Sequence, residues 1–483
     1  MSRTLLISVS PGEVRGALVA EGRLVELRVE RLGQGSRIGE IHLGRVLRLL
    51  PALPAALVDL GLDRPAFLSE EDARDAATPE TAARGIAAWL QEGRTLLVQV
   101  KRDAQGEKAA GLTLRLRLSG RLLALTPTRP RLSYPRGCPA EEQARLAGLV
   151  QGALPPEEGV AFGRAAIGAA DEAVRAELAR LRGQWARIRE TAARASPPAL
   201  LAEAMSPLAR LLDAVAEDPP DRYVIDDRAG FAEARSWLAR IGPELAARLE
   251  LDQGSGELFD RHGVGEAVEA ATAPRVSLPG GRGALRIEET AAMTVIDVDS
   301  SQAGADRGSS RQAILEVNRA AAAEAARQIR LRNLSGAIVI DFISMPRRAD
   351  REAVAAALAD ALAGDPAAPQ LLGWTRLGHI ELARRRRHPP LAEILGERLP
   401  GGGWRQSALT TALAALRAAR RQAEAAPGRG VAMELHPEVA AALDGPAAAA
   451  RRTLEARLPR PLQIRADPAL PRDGFAIRPA DPI

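Results

Sequence analysis

The sequence predicts a mixed α/β protein of several domains, with an all-β barrel inserted near its N-terminus. Three observations carry that reading. At 483 residues the chain is too long for one ordinary hydrophobic core. Up to about residue 125 it is dominated by short, alternating runs of strand type. Helical periodicity then governs 140–250, and 275–345 return to strand–helix–strand order. A composition of 46% apolar and 26% charged residues is globular, and with 3% aromatics the cores must be filled by aliphatic side chains and alanine.

The elements follow in order. Residues 3–31 alternate apolar and polar around a turn at Glu21-Gly22, as a β-hairpin does. The runs Gly39 to Leu50, Ala55 to Leu60 and Thr95 to Lys101 are separated by Pro- and Gly-bearing turns and by one helix-like stretch near 78–92, a spacing that fits a small barrel of about five strands. Pro127 to Pro139 is a Pro- and Arg-rich connector, and the helical region after it breaks at Pro155-Pro156, Pro197-Pro198 and Pro219-Pro220. Pro279-Gly280-Gly281 reads as a hairpin turn. The tail after Gly401-Gly402-Gly403 contains one helix, 407–425, and a short strand pair. Domain boundaries are accordingly expected at 1–37, 38–125, 126–210, 211–275, 276–390 and 391–483. There is no 20–50-residue repeat.

Composition also narrows the function. Cys138 is the single cysteine, which excludes intrachain disulfides and any multi-cysteine zinc site. No stretch reaches a membrane span, and the first residues alternate like a strand where a signal peptide would be continuously apolar, so a cytoplasmic protein is expected. The net charge is +5, and only Lys101 and Lys108 among 66 basic residues are lysines. Such arginine richness fits a GC-rich genome or phosphate binding. No Gly-Lys-Ser/Thr phosphate loop is present, and His379 and His388 have no partner cysteines, so neither nucleotide hydrolysis by that route nor a zinc site is expected. His42 is expected on the barrel surface.

The most informative region runs from Glu288 to Ser344. Met293 to Ser300 is an apolar strand whose polar end carries Asp297 and Asp299, two apart and therefore on one face. A helix from about Ser310 to Arg332 follows, with Ser309 or Ser310 as N-cap. Ala337 to Ile343, with Asp341, reads as a strand buried on both faces. If the two strands are parallel neighbours, the crossover brings Asp297 and Asp341 together at their carboxyl ends. Paired carboxylates there suit Mg²⁺, which is held by hard oxygens and meets substrate phosphates. The alternative is that each Asp caps a helix or orders a loop. Arg319, Arg327, Arg330 and Arg332 either line a phosphate path or form a solvated face.

Those residues carry a resemblance. Ile287 to Asp299, Asn318, and Ala326 to Ile343 resemble the catalytic domain of the ribonuclease E/G family, nearer its shorter, G-type members because no long tail follows. Gly39 to Leu68, with Gly44-Arg45-Val46, resembles the family's inserted OB-fold, and Leu435-His436-Pro437 and Leu458 to Ile464 resemble its small C-terminal domain. The resemblance implies RNase H-like and DNase I-like domains with an S-one type OB-fold barrel between them. It implies an endoribonuclease that cuts single-stranded, A/U-rich RNA in rRNA maturation and mRNA decay, with Asp297 and Asp341 holding Mg²⁺ and Asp299 beside them where the family commonly has Asn. Ser344 stands where an Asp is usual. The family's RNA clamp of two aromatics and a Lys maps to Phe67, Leu57 and Lys108, so one stacking platform is missing; Arg45 joins the expected RNA-binding residues. Without the family, Phe67 reads equally as a barrel-core residue.

Two further departures stand out. The family's Cys-Pro-x-Cys zinc clasp is replaced by Glu381 to Pro390, so a zinc-linked tetramer is excluded, whereas a homodimer through other contacts stays open. The run Arg384–Arg387 within it binds RNA phosphates or forms a solvated turn. The Arg-Thr pair that senses the RNA 5′ end falls on Gly163 and Arg164, with its supporting Arg near Ala368, which implies weakened 5′-monophosphate sensing. A noncatalytic RNA- or ribosome-binding relative is the alternative function. A Mg²⁺ phosphohydrolase of small phosphoesters is disfavoured by the barrel.

Overall fold

The computed structural model describes residues 2–32, 36–50, 53–74, 85–104, 108–290, 292–299, 311–386, 388–399 and 402–480. The chain forms two units, one of Met1–Gly33, Pro220–Phe231 and Arg248–Ile483, the other of Gln34–Pro219 and Ala232–Ala247. It is a mixed α/β protein, and among the described residues no helix is long and apolar enough to cross a membrane.

In the first unit, β1 (Arg3–Ser10), β2 (Glu13–Ala20) and β3 (Arg23–Arg31) form an antiparallel meander. Glu21 and Gly22 both have positive φ, as a two-residue primed hairpin turn requires. Two strands from far along the chain, β14 (Arg222–Ile225) and β15 (Leu249–Leu251), add to β1 in parallel and complete a five-stranded sheet. They are short and flanked by helices, so helical periodicity alone conceals them.

The second unit holds the barrel. Its strands are β4 (Ile41–Leu50), β5 (Ala55–Asp59), β6 (Ala66–Ser69), β7 (Thr95–Arg102) and β8 (Gly111–Thr113). Because β4 pairs with both β5 and β7, the order β4-β5-β6-β8-β7 closes on itself and removes both sheet edges. Val46, Val58, Leu68, Val98 and Leu112 fill the interior. The helix expected near 78–92 lies partly outside the described residues; inside them is only the short 3-10 turn Ile86–Ala88. Strands β9 (Leu118–Ser119), β10 (Leu123–Thr126), β11 (Leu132–Ser133) and β12 (Gly159–Phe162) form a second sheet under helices Ala140–Gln151 and Asp171–Arg194. β13 (Ala199–Ala202) returns to pair with β4. That pairing corrects the placement of His42. The residue opposite it is Leu200, the side chain is 2% exposed, and its Nε2 lies 2.8 Å from Glu40 Oε2.

The remainder of the first unit contains a six-stranded sheet in the order β16 (Arg275–Ser277), β17 (Ala284–Glu289), β18 (Met293–Asp299), β19 (Gly336–Asp341), β21 (Ile380–Arg384), β20 (Gln370–Trp374). Helices Arg311–Leu331 and Arg348–Leu362 cover one face, burying Ile296, Val298, Ile338 and Ile340 against Val317, Ala321, Ala325, Val354 and Leu358. The alanines let the helix lie close to the strands, which suits a chain with few aromatics. Val339 and Asp341 point to the other face and are half-buried and exposed, so β19 is buried on one face only, contrary to its apolar run. The expected caps Ser309 and Ser310 lie outside the described residues. β22 (Gly396–Arg398) and β23 (Trp404–Gln406) form a hairpin. The tail carries more than one helix and a strand pair. Helices Ala408–Ala425, Pro437–Asp444 and Ala448–Glu455 pack on a three-stranded sheet of β24 (Gly430–Leu435), β25 (Gln463–Ala466) and β26 (Phe475–Ala480).

One buried carboxylate in the second unit makes a stability test. Glu177 accepts from the backbone N–H of Arg121 and of Leu122, both at 2.6 Å, and it occupies the space a side chain at Gly120 would need. Glu177→Ala leaves both donors without that acceptor and is expected to cost about 2–4 kcal/mol of unfolding free energy, read from urea denaturation. A loss below about 0.5 kcal/mol would show that water replaces the carboxylate at no net cost.

Candidate active site

Residues 293–299 form a strand because β-branched and apolar side chains alternate with polar ones, and the polar series Asp297 and Asp299 is turned away from the helices. β18 and β19 are parallel, and Asp297 stands directly opposite Asp341. On neighbouring parallel strands, such partners project to the same face. Asp299, two residues on, shares that face and is 42% exposed, while Asp341 is 51% exposed. The three carboxylates therefore stand at the carboxyl end of the sheet's two central strands, on its open side.

Basic groups surround them. Arg286 is the antiparallel partner of Asp297, Arg275 Nη2 lies 3.8 Å from Asp299 Oδ2, and His379 Nε2 lies 3.6 Å from Asp341 Oδ1. Sequence reading missed all three, although hairpin arithmetic about the turn at Thr290 could have found Arg286. Partial burial, followed by the charges of Asp341 and Asp299, raises the Asp297 carboxyl above the ordinary aspartate range, with Arg286 opposing. A cation would relieve the same repulsion. Among the described residues no three carboxylate, imidazole or thiol groups converge as a closed metal cage. The donor set fits Mg²⁺ nevertheless, because that ion is commonly held by one or two carboxylates and completes its shell with water and substrate phosphate.

The turn after Asp341 is fixed from within. Asn318, fully buried, donates through Nδ2 to Ile343 O at 2.8 Å and accepts from Ile343 N at 3.1 Å. Three of the four helix arginines are structural and line no phosphate path. Arg327 binds Glu324 and Leu24 O, Arg330 binds Glu26, and buried Arg332 binds Gln328 and Ala273 O. Arg319 is exposed. In the basic run, Arg384 is buried on Asp365 and Asn333, Arg386 pairs with Glu393, and Arg387 lies outside the described residues.

The other expected residues lie in the second unit. Phe67 is half-buried on the outside of the barrel; the interior is taken by Ala66 and Leu68. Its cross-strand neighbours are Leu57 and Gly111, and Arg48 stands beyond Leu57. Arg45, opposite Asp59, and Lys108 are exposed. Arg164 opens a 3-10 turn after Gly163 and is exposed. Ala368, in the first unit, has a φ of 48°, a left-handed conformation that a branched or bulky residue adopts at a cost.

Residues 117–387 match the ribonuclease E/G family profile. The chain belongs to the ribonuclease E/G family. It is similar to ribonuclease G of Haemophilus influenzae, with 32% identity over 405 residues, 82% of each chain. Similarity to ribonuclease G of Escherichia coli K12 spans 99% of both chains at 28% identity. Ribonuclease E of Escherichia coli K12 is 32% identical over 81% of this chain and 38% of that protein. The family match contains Asp297, Asp299, Asp341 and Arg164, whereas the barrel residues precede it.

The raised Asp297 carboxyl, a product of partial burial and of the neighbouring carboxylates, has a measurable sign. A carboxyl whose folded pKa is raised destabilises the fold above that pKa and is neutral in this respect below its unfolded pKa. In cation-free buffer, Asp297→Asn is expected to raise the melting temperature at pH 7, and the gain should fade as pH falls through the raised pKa toward the ordinary aspartate value. An unchanged or lowered melting temperature at pH 7 contradicts the placement of the three carboxylates.

Proposed function

We propose that this family member is a Mg²⁺-dependent endoribonuclease that cuts single-stranded, A/U-rich RNA, acting in the cytoplasm on rRNA precursors and mRNA. The observation that supports the reading most is Asp297 opposite Asp341 on the open face of the sheet, with Asp299 beside them.

Asp297 and Asp341 would hold the ion, and Asp299 adds a third carboxylate that Arg275 partly neutralises. When bound, Mg²⁺ supplies charge neutralisation and Lewis acidity at a phosphate. Arg286, adjacent to Asp297, offers a guanidinium to a phosphate oxygen on the same face. Asn318 keeps the Asp341 strand end and the following turn in one conformation. On the barrel, Phe67 offers a ring to one base, and Lys108 and Arg45 offer charge to the backbone; Leu57 offers apolar contact without stacking. Arg164 is left as the exposed donor of the end-sensing segment, with Ala368 in place of a supporting arginine. A zinc-linked tetramer is no part of the proposal, since the sole cysteine, Cys138, is buried.

The test is cleavage of a fluorescent A/U-rich RNA with Mg²⁺ or EDTA. Asp341→Asn and Asp297→Asn should each lower the rate by more than about 100-fold while RNA is still bound. RNA binding without cleavage by the wild type would support a noncatalytic RNA-binding relative instead. Leu57→Phe should tighten RNA binding by about 1 kcal/mol or more, since a base gains a second aromatic platform. Oligomers with 5′-hydroxyl and 5′-monophosphate ends should be cut at similar rates. A preference of about tenfold for the monophosphate would overturn that part of the reading.

A further inference from the structure

Within the first unit, a cavity of about 420 Å³ is lined by Arg15, Arg417, Arg420, Asp226, Trp404 and Phe475, among others. Its inner end is unusual in charge. Three guanidinium groups converge on one carboxylate, that of Glu13, whose side chain is 0% exposed. Arg15 Nε lies 2.6 Å from Oε1, Arg417 bonds the same oxygen, and Arg31 Nε lies 3.9 Å from Oε2. Arg420 stands next to them and donates to Val9 O at 2.7 Å, with Asp226 at 4.0 Å. Asp226 is already engaged by Ser8 Oγ and Val9 N, each at 2.8 Å.

The four arginine side chains are 10–20% exposed. Four positive charges thus face two negative ones in a poorly hydrated place. Asp227, beyond Asp226, is matched by Arg457. The other carboxylates of the cavity do not restore the balance. Glu257 pairs with Arg421; Glu424 lies 3.6 Å from Arg420 Nε but is itself exposed, as are Asp260, Glu269 and Asp473, so water screens all four. Burial and the neighbouring Arg15 push the Arg417 guanidinium down to about 10. Arg420 Nε makes no hydrogen bond, and the exposed Glu424 carboxylate lies 3.6 Å from it. Beside the cavity the poorly hydrated arginines outnumber the buried carboxylates by two, an excess that an anion of charge about −2 would balance, and a phosphate monoester carries that charge near neutral pH. Planar guanidinium forks suit its oxygens. The half-buried rings of Trp404 and Phe475 line the same cavity and suit a base.

We propose that this cavity, separate from the Asp297–Asp341 face, binds the phosphate monoester of a nucleotide, with Arg15, Arg417 and Arg420 holding the phosphate. The nucleotide is either a free mononucleotide or the 5′-phosphorylated end of an RNA chain. The inference does not depend on the proposed nuclease activity. Calorimetric titration of the full chain, in the Asp341→Asn background so that the candidate active site is disabled, is the test. Adenosine 5′-monophosphate, inorganic phosphate, adenosine, and a short RNA with or without a 5′-phosphate are the probes.

Phosphate-bearing probes should bind and adenosine should not. Saturation by adenosine 5′-monophosphate identifies a free nucleotide as the source, and binding of the 5′-phosphorylated RNA alone identifies a chain end. Arg420→Gln and Arg417→Lys should each weaken binding by about tenfold or more, and Arg348→Gln on an exposed helix surface should not. Absence of phosphate-dependent binding at about 1 mM, or binding that survives both arginine variants, overturns the proposal. Should those variants fail to fold, Trp404→Phe decides. Loss of a nucleotide-induced change in tryptophan emission supports the cavity, and its persistence overturns it.

Discussion

If β19 slid by one residue against β18, Asp341 would turn toward the helices and Ile340 toward water. The register of this parallel pair is therefore the constraint on which the candidate active site depends. It is held by the buried layer beneath it, where Ile296, Val298, Ile338 and Ile340 meet an alanine-lined helix face. Each of these side chains contributes on the order of 1.5–3 kcal/mol by leaving water, so a slipped register forfeits far more than mutual repulsion of two carboxylates can recover. The core forces together groups that electrostatics alone would separate, and partial burial, followed by that repulsion, raises the Asp297 carboxyl.

The same opposition between packing and charge recurs elsewhere. Arg327, Arg330 and Arg384 each end on a carboxylate, and Arg332 on the neutral oxygens of Gln328 and Ala273. Around Glu13 the pattern is different, because three guanidinium groups share one carboxylate. Arg327, Arg330 and Arg384 are absorbed by internal pairing, whereas around Glu13 arginine charge is in local excess.

Much of this was legible in the sequence, for identifiable reasons. The barrel could be read because alternation is broken at regular intervals by proline and glycine, although its closure through β4 is a long-range event. Asp297, Asp299 and Asp341 could be read from a period of two and a crossover helix. Arg286, Arg275 and His379 could not, since their proximity depends on strand neighbours that no local pattern specifies. His42 was misplaced because a strand more than 150 residues later covers it. Ala337 to Ile340 looked like a strand buried twice over, because an apolar run does not show whether a second layer exists. Of the C-terminal helices, Pro437–Asp444 and Ala448–Glu455 were hidden because each has only eight residues, too few for a helical period to stand out.

The interrupted first sheet has a consequence for how the chain is made. β1 lies between β2, its hairpin neighbour, and β14, which begins at Arg222. A chain emerging from a ribosome exposes the β1 edge until some 200 further residues have been added, whereas every strand of the barrel is available by Thr113. The inserted barrel can mature while the sheet that brackets it is still incomplete. Until β14 is made, the outer edge of β1 has no strand of this chain to pair with, and an open edge of that kind is a template for association with other chains.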